Sequence, residues 1–217
     1  MNNMKVAIIQ EWLGTVGGSD KVGKAMLDVF PQADIYTLVA KKSVCDELGI
    51  PWEKVHTSFI QKMPFGTKKH RAYLPLFPFA IEQFDLRGYD IVISSSHCVA
   101  KGVLTKAEQL HVSYVHSPIR YCWDMYNEYL EESNLYSGIK SWLVRKMLHS
   151  VRKWDSITGN RVDYFISNSD YVGQRVRKTY RRECLTIHPN IDISSFDLCE
   201  DKQDYYLASS RLMYSMS

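Results

Sequence analysis

The chain has 217 residues, 45% of them hydrophobic and 24% charged, with a formal net charge of +3. That length supports one sizeable core with room for a fragment of a second, and the small net charge demands no nucleic-acid partner. Five scattered cysteines (45, 98, 122, 184 and 199) form no Cys-x-x-Cys pair, which argues against a disulfide frame or zinc knuckle and for a reducing, cytoplasmic protein.

The amino-terminal MNNMKVAIIQEWLG lacks a secretory-leader pattern, because the apolar stretch is short and Glu11 follows it. Within it, Lys5–Gln10 (KVAIIQ) reads as a buried strand. Ser19–Phe30 (SDKVGKAMLDVF) reads as a helix, with Val22, Met26, Val29 and Phe30 at helical spacing. Ser19 or Asp20 can cap its start, and Pro31 ends it. Strands are predicted at Ala33–Ala40, Tyr89–Ser96 and His111–Ser117. Between them, the longest apolar stretch (Tyr73–Ile81, YLPLFPFAI) holds two prolines and is far short of the roughly 20 residues a membrane helix needs.

Ser137–Ile157 is predicted to be a long amphipathic helix, with Ile139, Trp142, Leu143, Met147 and Val151 on one face. A strand at Val162–Ser169 and a helix at Asp170–Tyr180 follow. Cys184–Pro189 reads as a strand running into a proline-bounded linker, and Tyr205–Leu212 (YYLASSRL) as a further buried strand. Nearly all-apolar strands alternating with helices indicate a parallel sheet covered on both faces. The fold class is α/β, a Rossmann-like doubly wound sheet, in which ligands bind at the carboxyl ends of the strands.

Three strand ends carry chemistry. Glu11–Val22 (EWLGTVGGSDKV) puts Gly14, Gly17 and Gly18 between a strand and a helix. Free N–H groups and the positive helix end suit a phosphate there, but the spacing is neither the dinucleotide fingerprint nor a P-loop. A plain βα turn is the other reading. His111–Asp124 (HVSYVHSPIRYCWD) places His116 at a strand's carboxyl end, followed by Arg120 and Asp124. It is either a cleft histidine or a core one bonded to backbone. Ser94–Gly102 (SSSHCVAKG) presents His97 and Lys101 at a third strand end, or a helix cap followed by a solvated lysine. A metal held by His97, Cys98 and His116 is conceivable, but no ligand spacing supports it. A Cys–His nucleophile using Cys98 or Cys122 is weaker still.

In order and spacing, GGSDKV, YLPLFPFAIEQFDLRGYDIVISSSHCVAKGV, HVSYVHSPIRYCWD, YFISNSDYVGQRVRKTY and IHPNIDISSF resemble the amino-terminal half of family 4 glycosyltransferases of the two-domain GT-B type. The likeness is to mannosyltransferase-like enzymes of bacterial surface-polysaccharide and O-antigen assembly. It implies two Rossmann-like domains facing across a cleft, the first on the acceptor side and the second holding the nucleotide sugar. On this reading residues 1–190 are the acceptor-side domain, 191–203 a linker, and 204–217 the first strand of the donor domain. The resemblance brings Gly17 and Gly18 to the donor diphosphate, Arg211 to the same diphosphate, and His116, as the catalytic residue, to the transferring sugar. His97, Lys101, Arg120 and Asp124 fall on the acceptor cleft.

Transfer of a hexosyl unit from a donor such as GDP-mannose would be retaining, with no cofactor and no obligatory metal. The acceptor implied is a lipid-linked saccharide. The lysine and paired glutamates that the family places after Arg211 do not follow in this sequence, which ends in MYSMS. The chain therefore reads as a truncated transferase, inactive alone. The alternative is a non-catalytic acceptor- or partner-binding module completed in trans.

Two stretches mix basic and aromatic or apolar residues. Phe59–Phe79 carries Lys62, Lys68, Lys69 and Arg71. Ser137–Ile157 carries Lys140, Arg145, Lys146, Arg152 and Lys153. They read either as peripheral contacts with anionic lipid at the inner face of the cytoplasmic membrane or as a solvated basic face. Arg175–Arg182 (RVRKTYRR) lies on a family-matching helix, so no nucleic-acid partner is expected.

Overall fold

The computed structural model describes residues 4–191 together with residues 193, 197 and 204–206. Among them, seven strands form one sheet: β1 (Val6–Gln10), β2 (Asp34–Thr37), β3 (Val55–Thr57), β4 (Ile91–Ser96), β5 (Leu110–Val115), β6 (Tyr164–Ser167) and β7 (Cys184–Thr186). Their order is β3-β2-β1-β4-β5-β6-β7, and every pairing is parallel. This is the α/β, Rossmann-like arrangement that the strand–helix alternation predicts. The chain runs outward from β1 to β3, then crosses back to place β4 on the other side of β1. That reversal opens a crevice at the carboxyl ends of β1 and β4.

Among the described residues, six α-helices accompany the sheet: α1 (Gly18–Val29), α2 (Lys42–Glu47), α3 (Phe77–Glu82), α4 (Tyr126–Glu132), α5 (Gly138–Thr158) and α6 (Asp170–Tyr180). All five residues of β1 are buried, and their side chains alternate between the two faces. Ala7 and Ile9 enter one core with Phe77, Ile81, Val92, Leu148 and Val151. Val6 and Ile8 enter the other with Leu27, Ile35, Val44 and Ile50. A smaller cluster seats Val172, Val176 and Tyr180 of α6 against Phe165. Helix α1 lies so close to β1 that a Cβ on Gly23 would stand 1.4 Å from the Gln10 amide nitrogen. Glycine there sets the helix–strand distance.

The predicted strands and the three longer helices stand within a few residues of their expected bounds up to residue 186. Edge strand β3 and the short helices α2, α3 and α4 were not anticipated; three to seven residues are too few to show a period. The strand expected at 205–212 falls outside the described residues, Tyr205 and Tyr206 apart. Helix α5 corrects the sequence reading. Ile139, Trp142 and Leu143 are 80%, 58% and 54% exposed, whereas Ser141, Leu148, Val151, Asp155 and Thr158 are buried. Met147 and Val151 of the predicted stripe do pack on the core, but the buried face also takes in Asp155 and Thr158, which meet Lys101 inside, so apolar periodicity alone picks a stripe only part of which is covered.

Candidate functional site

A cavity of about 780 Å³ lies at the carboxyl ends of β1, β4, β5 and β6. Its floor is Trp12, His97 and His116, the residues just beyond three of those strands. The amino terminus of α1 (Gly18, Ser19) forms one wall, and Arg71, Arg120 and Arg175 approach from the others. A second cavity, of about 870 Å³, opens at the opposite, amino-terminal end of the sheet around Lys5, Asp34 and Tyr89.

The floor is fixed by a carboxylate. Glu11, the residue after β1, is 1% exposed. It accepts backbone N–H bonds from His97 (3.0 Å), Cys98 (2.6 Å), Val99 (2.9 Å) and Ala100 (3.0 Å), and a hydroxyl bond from Ser96 (3.3 Å). Five donors compensate the desolvation of one buried charge. They also wrap the loop after β4 around it, which presents the His97 ring edge-on to Trp12 at 4.7 Å.

His116 is held at three points. Its N–H donates to the Ser96 carbonyl (2.9 Å), its carbonyl accepts from the Asn168 amide (3.3 Å), and its Nε2 lies 2.9 Å from Ser95 Oγ. Burial, helped by neighbouring His97, lowers its pKa to about 4. Burial also lowers His97, against the pull of Glu11 and with the help of Arg71 and Arg120. Both rings are therefore neutral at pH 7 and able to offer one donor and one acceptor nitrogen each.

Positive charge comes instead from the arginines. Arg175 donates to Ser117 Oγ at 2.7 Å and pairs with Asp124. Arg71 stands 5.9 Å over the Trp12 ring. Among the described residues, neither Arg71 nor Arg120 has a carboxylate within 4.0 Å. At the α1 terminus, buried Asp20 accepts the Gly17 N–H at 2.9 Å, and burial pushes its carboxyl up to about 6. Gly17 and Gly18 do not use positive φ; their contribution is room. A Cβ at Gly18 would meet nothing, and one at Gly17 would stand 3.3 Å from Asp20. The cavity combines helix N–H groups, guanidinium charges and neutral imidazoles, which together suit a phosphorylated, hydroxyl-rich ligand.

No known protein-family profile matches the chain, and no curated protein sequence matches it. Three crystal structures of Alr3699/HepE from Anabaena are similar to it. The complex with UDP-glucose has a TM-score of 0.49 at 15% identity, covering 88% of this chain and 45% of that one. The complex with UDP gives 0.49 at 14%, again over 88% and 45%. The complex with UDP and glucose gives 0.48 at 16%, over 88% and 46%. This chain thus spans under half the length of those it resembles.

Of the residues singled out from sequence, Gly18, His97, His116 and Arg120 line the cavity, with Gly17 beside it. Asp124 does not line it but pairs with Arg175, which does. Lys101 does not. It is 1% exposed and its ammonium is paired with Asp155 in the core, with Thr158 Oγ1 at 3.2 Å. The Asp155 carboxylate also receives the Trp123 indole N–H (2.7 Å) and the Tyr180 hydroxyl (3.0 Å). Arg71 turns into the cleft, while Lys68, Lys69, Arg145 and Lys146 lie exposed elsewhere. Arg211 lies outside the described residues.

The Cys98 thiol is buried 3.0 Å from the Tyr121 hydroxyl, and burial raises its pKa well above the ordinary thiol value. Cys122 is pushed up to about 12, so neither is a thiolate nucleophile at neutral pH. Among the described residues, no three His, Cys, Asp or Glu side chains gather as a metal-holding group, and no helix is long and apolar enough to cross a membrane. Glu11, Trp12, Arg71 and Arg175 are the cleft residues that sequence reasoning missed.

Proposed function

We propose that this chain is the acceptor-side domain of a retaining, GT-B-type glycosyltransferase that moves a hexosyl unit, mannosyl by sequence resemblance, from a nucleotide sugar to a lipid-linked saccharide at the inner face of the cytoplasmic membrane. One observation carries this reading. A single cavity at the sheet's reversal point gathers the α1 terminus, His116 and three arginines. The chemical difficulty in such a transfer is the departing nucleoside diphosphate, whose charge is stabilised by N–H groups and cations aimed at it. The α1 terminus and the guanidinium groups supply these without a metal. His116, neutral and with its Nε2 held by Ser95, is the residue to which this reading assigns a hydrogen bond with a sugar hydroxyl. Closure over the donor is the task of a second Rossmann-like domain, because transfer depends on holding both substrates together.

The test is titration of the purified chain with GDP-mannose, UDP-glucose and inorganic pyrophosphate, followed by amide NMR. The expected result is weak binding that perturbs Gly17, Gly18 and His116. Arg120→Ala combined with Arg175→Ala weakens it tenfold or more. No transfer is expected until a donor-side domain is supplied. Absence of any perturbation at the α1 terminus refutes the assignment. Turnover by the chain alone, lost in His116→Ala, refutes the need for a second domain. The non-catalytic acceptor-binding module is the second reading, favoured by a cavity of about 780 Å³ walled by described residues of this chain; acceptor binding with no response to any nucleotide selects it.

A further inference from the structure

Helix α5 turns an apolar stripe away from the core. Ile139, Trp142, Leu143 and Lys146 stand at i, i+3, i+4 and i+7, so they share one face, and all four are exposed. The Lys146 ammonium sits 5.0 Å over the Trp142 ring. Beside the stripe, an apolar groove of about 640 Å³ runs between Leu143, Val144 and Met147 of α5 and the prolines Pro75 and Pro78. Next to Pro78, exposed Phe79 lies 5.7 Å from Phe59. Farther along the same segment, the Lys69 ammonium covers exposed Phe65 at 5.7 Å.

The exposed charges carried by these two stretches are of one sign. Helix α5 exposes Lys140, Arg145, Lys146 and Lys153, while Arg152 turns inward to the Cys122 carbonyl and the single carboxylate, Asp155, is spent inside on Lys101. Residues 59–79 carry three lysines and Arg71 with no carboxylate. Of the carboxylates nearest in sequence, Glu82 is taken up by the Trp154 indole and Arg161, and Glu131 and Glu132 belong to α4 before the turn. Apolar and aromatic tips ringed by cations complement a surface that is anionic outside and apolar beneath.

We infer that the outward faces of α5 and of the 59–79 segment seat the protein on an anionic phospholipid bilayer, with Ile139, Trp142 and Leu143 entering the boundary between headgroups and acyl chains. This rests on the proposed function in that a lipid-linked acceptor is met at such a surface. The segment from Arg71 to Pro78 then stands between bilayer and cleft. Its Arg71, Leu74 and Phe77 line the cavity, while Pro75 and Pro78 line the outer groove. A headgroup leaving the bilayer has only that segment to pass.

The experiment is flotation of the purified full chain with vesicles of phosphatidylcholine alone and with 30% phosphatidylglycerol, at low and high salt. Binding is expected only to the anionic vesicles, weakening as salt rises. Lys140→Glu with Lys146→Glu should lower partitioning at least about 25-fold, roughly fivefold per lysine lost. Trp142→Ser with Leu143→Ser should abolish it with no fall in thermal stability, since both side chains are exposed. Equal flotation with both vesicle types, or unchanged binding by the Trp142/Leu143 variant, overturns the inference. So does a concentration-dependent dimer abolished by that variant, which would make the occupant a second copy of the chain. Vesicle binding without any nucleotide binding sinks the proposed function and leaves this surface standing. Nucleotide binding without vesicle binding does the reverse.

Discussion

Replacing Asp155 with alanine is the sharpest test of how this fold is held. The carboxylate is fully buried and serves three groups: the Lys101 ammonium, the Trp123 indole and the Tyr180 hydroxyl. Its removal strands an ammonium that is 1% exposed. Removing one partner of a buried pair costs about 3–5 kcal/mol, mostly the penalty of the charge left behind. For a chain of this size about 1 kcal/mol moves Tm by roughly 2–4 °C, so a fall of roughly 6–20 °C is expected. Urea and thermal unfolding, followed by circular dichroism, measure it. Lys101→Met with Asp155→Leu removes both charges at similar volume and should recover most of the loss. A cost below about 1 kcal/mol for Asp155→Ala, against the 3–5 of a broken buried pair, refutes the reasoning. A double variant no better than the single one shows that the unpaired charge is not the cause.

Two further outcomes follow from other buried groups. Glu11→Ala leaves four backbone N–H groups and a hydroxyl without their acceptor, so a loss of at least about 3 kcal/mol is expected. Hydrogen exchange at the amides of residues 97–100 should accelerate, and unchanged protection there refutes the role given to Glu11. The acid limb of stability has a definite sign. His111 and His116 are held down to about 4 by burial, below the ordinary value near 6.5. Between those values the unfolded chain binds more protons, so stability falls as pH drops through that window. Asp20, raised to about 6, works oppositely: between about 4 and 6 the folded state holds the extra proton, and acidification stabilises it. Two histidines outweigh one carboxyl, so the net change on acidification is a loss. Asp20→Asn should steepen that loss in urea titrations across pH 4–6.5, and a shallower slope counts against a buried Asp20.

The sheet was legible because β1 is a nearly unbroken apolar run and β4 opens on one, and burial on both faces gives VAIIQ and the IVI of IVISSS that character. The strand ends were legible too: a polar residue directly after such a run, as with His97 and His116, marks the crevice. What stayed hidden is long-range. Nothing near Glu11 indicates that its partners lie 85 to 89 residues downstream. Lys101 reads as a solvated lysine until Asp155, 54 residues on, is seen beside it. Arg175 sits on a helix whose basic face gives no hint that Ser117 and Asp124 lie opposite. Part of the predicted face of α5 proves exposed for a related reason: Met147 and Val151 meet the core, but Ile139, Trp142 and Leu143 do not. Periodicity shows which residues share a stripe, not which stripe the rest of the chain covers.

The Glu11 tether also bears on the order of assembly. The loop that shapes the cleft floor is folded around a side chain from another strand, and those two strands, β1 and β4, are the ones that meet at the sheet's reversal. The floor therefore cannot form before the centre of the sheet has closed, and it cannot open without parting that centre. Freedom to admit or release a ligand is left to the outer walls, the 59–79 segment and α4, moving against a floor as durable as the fold itself.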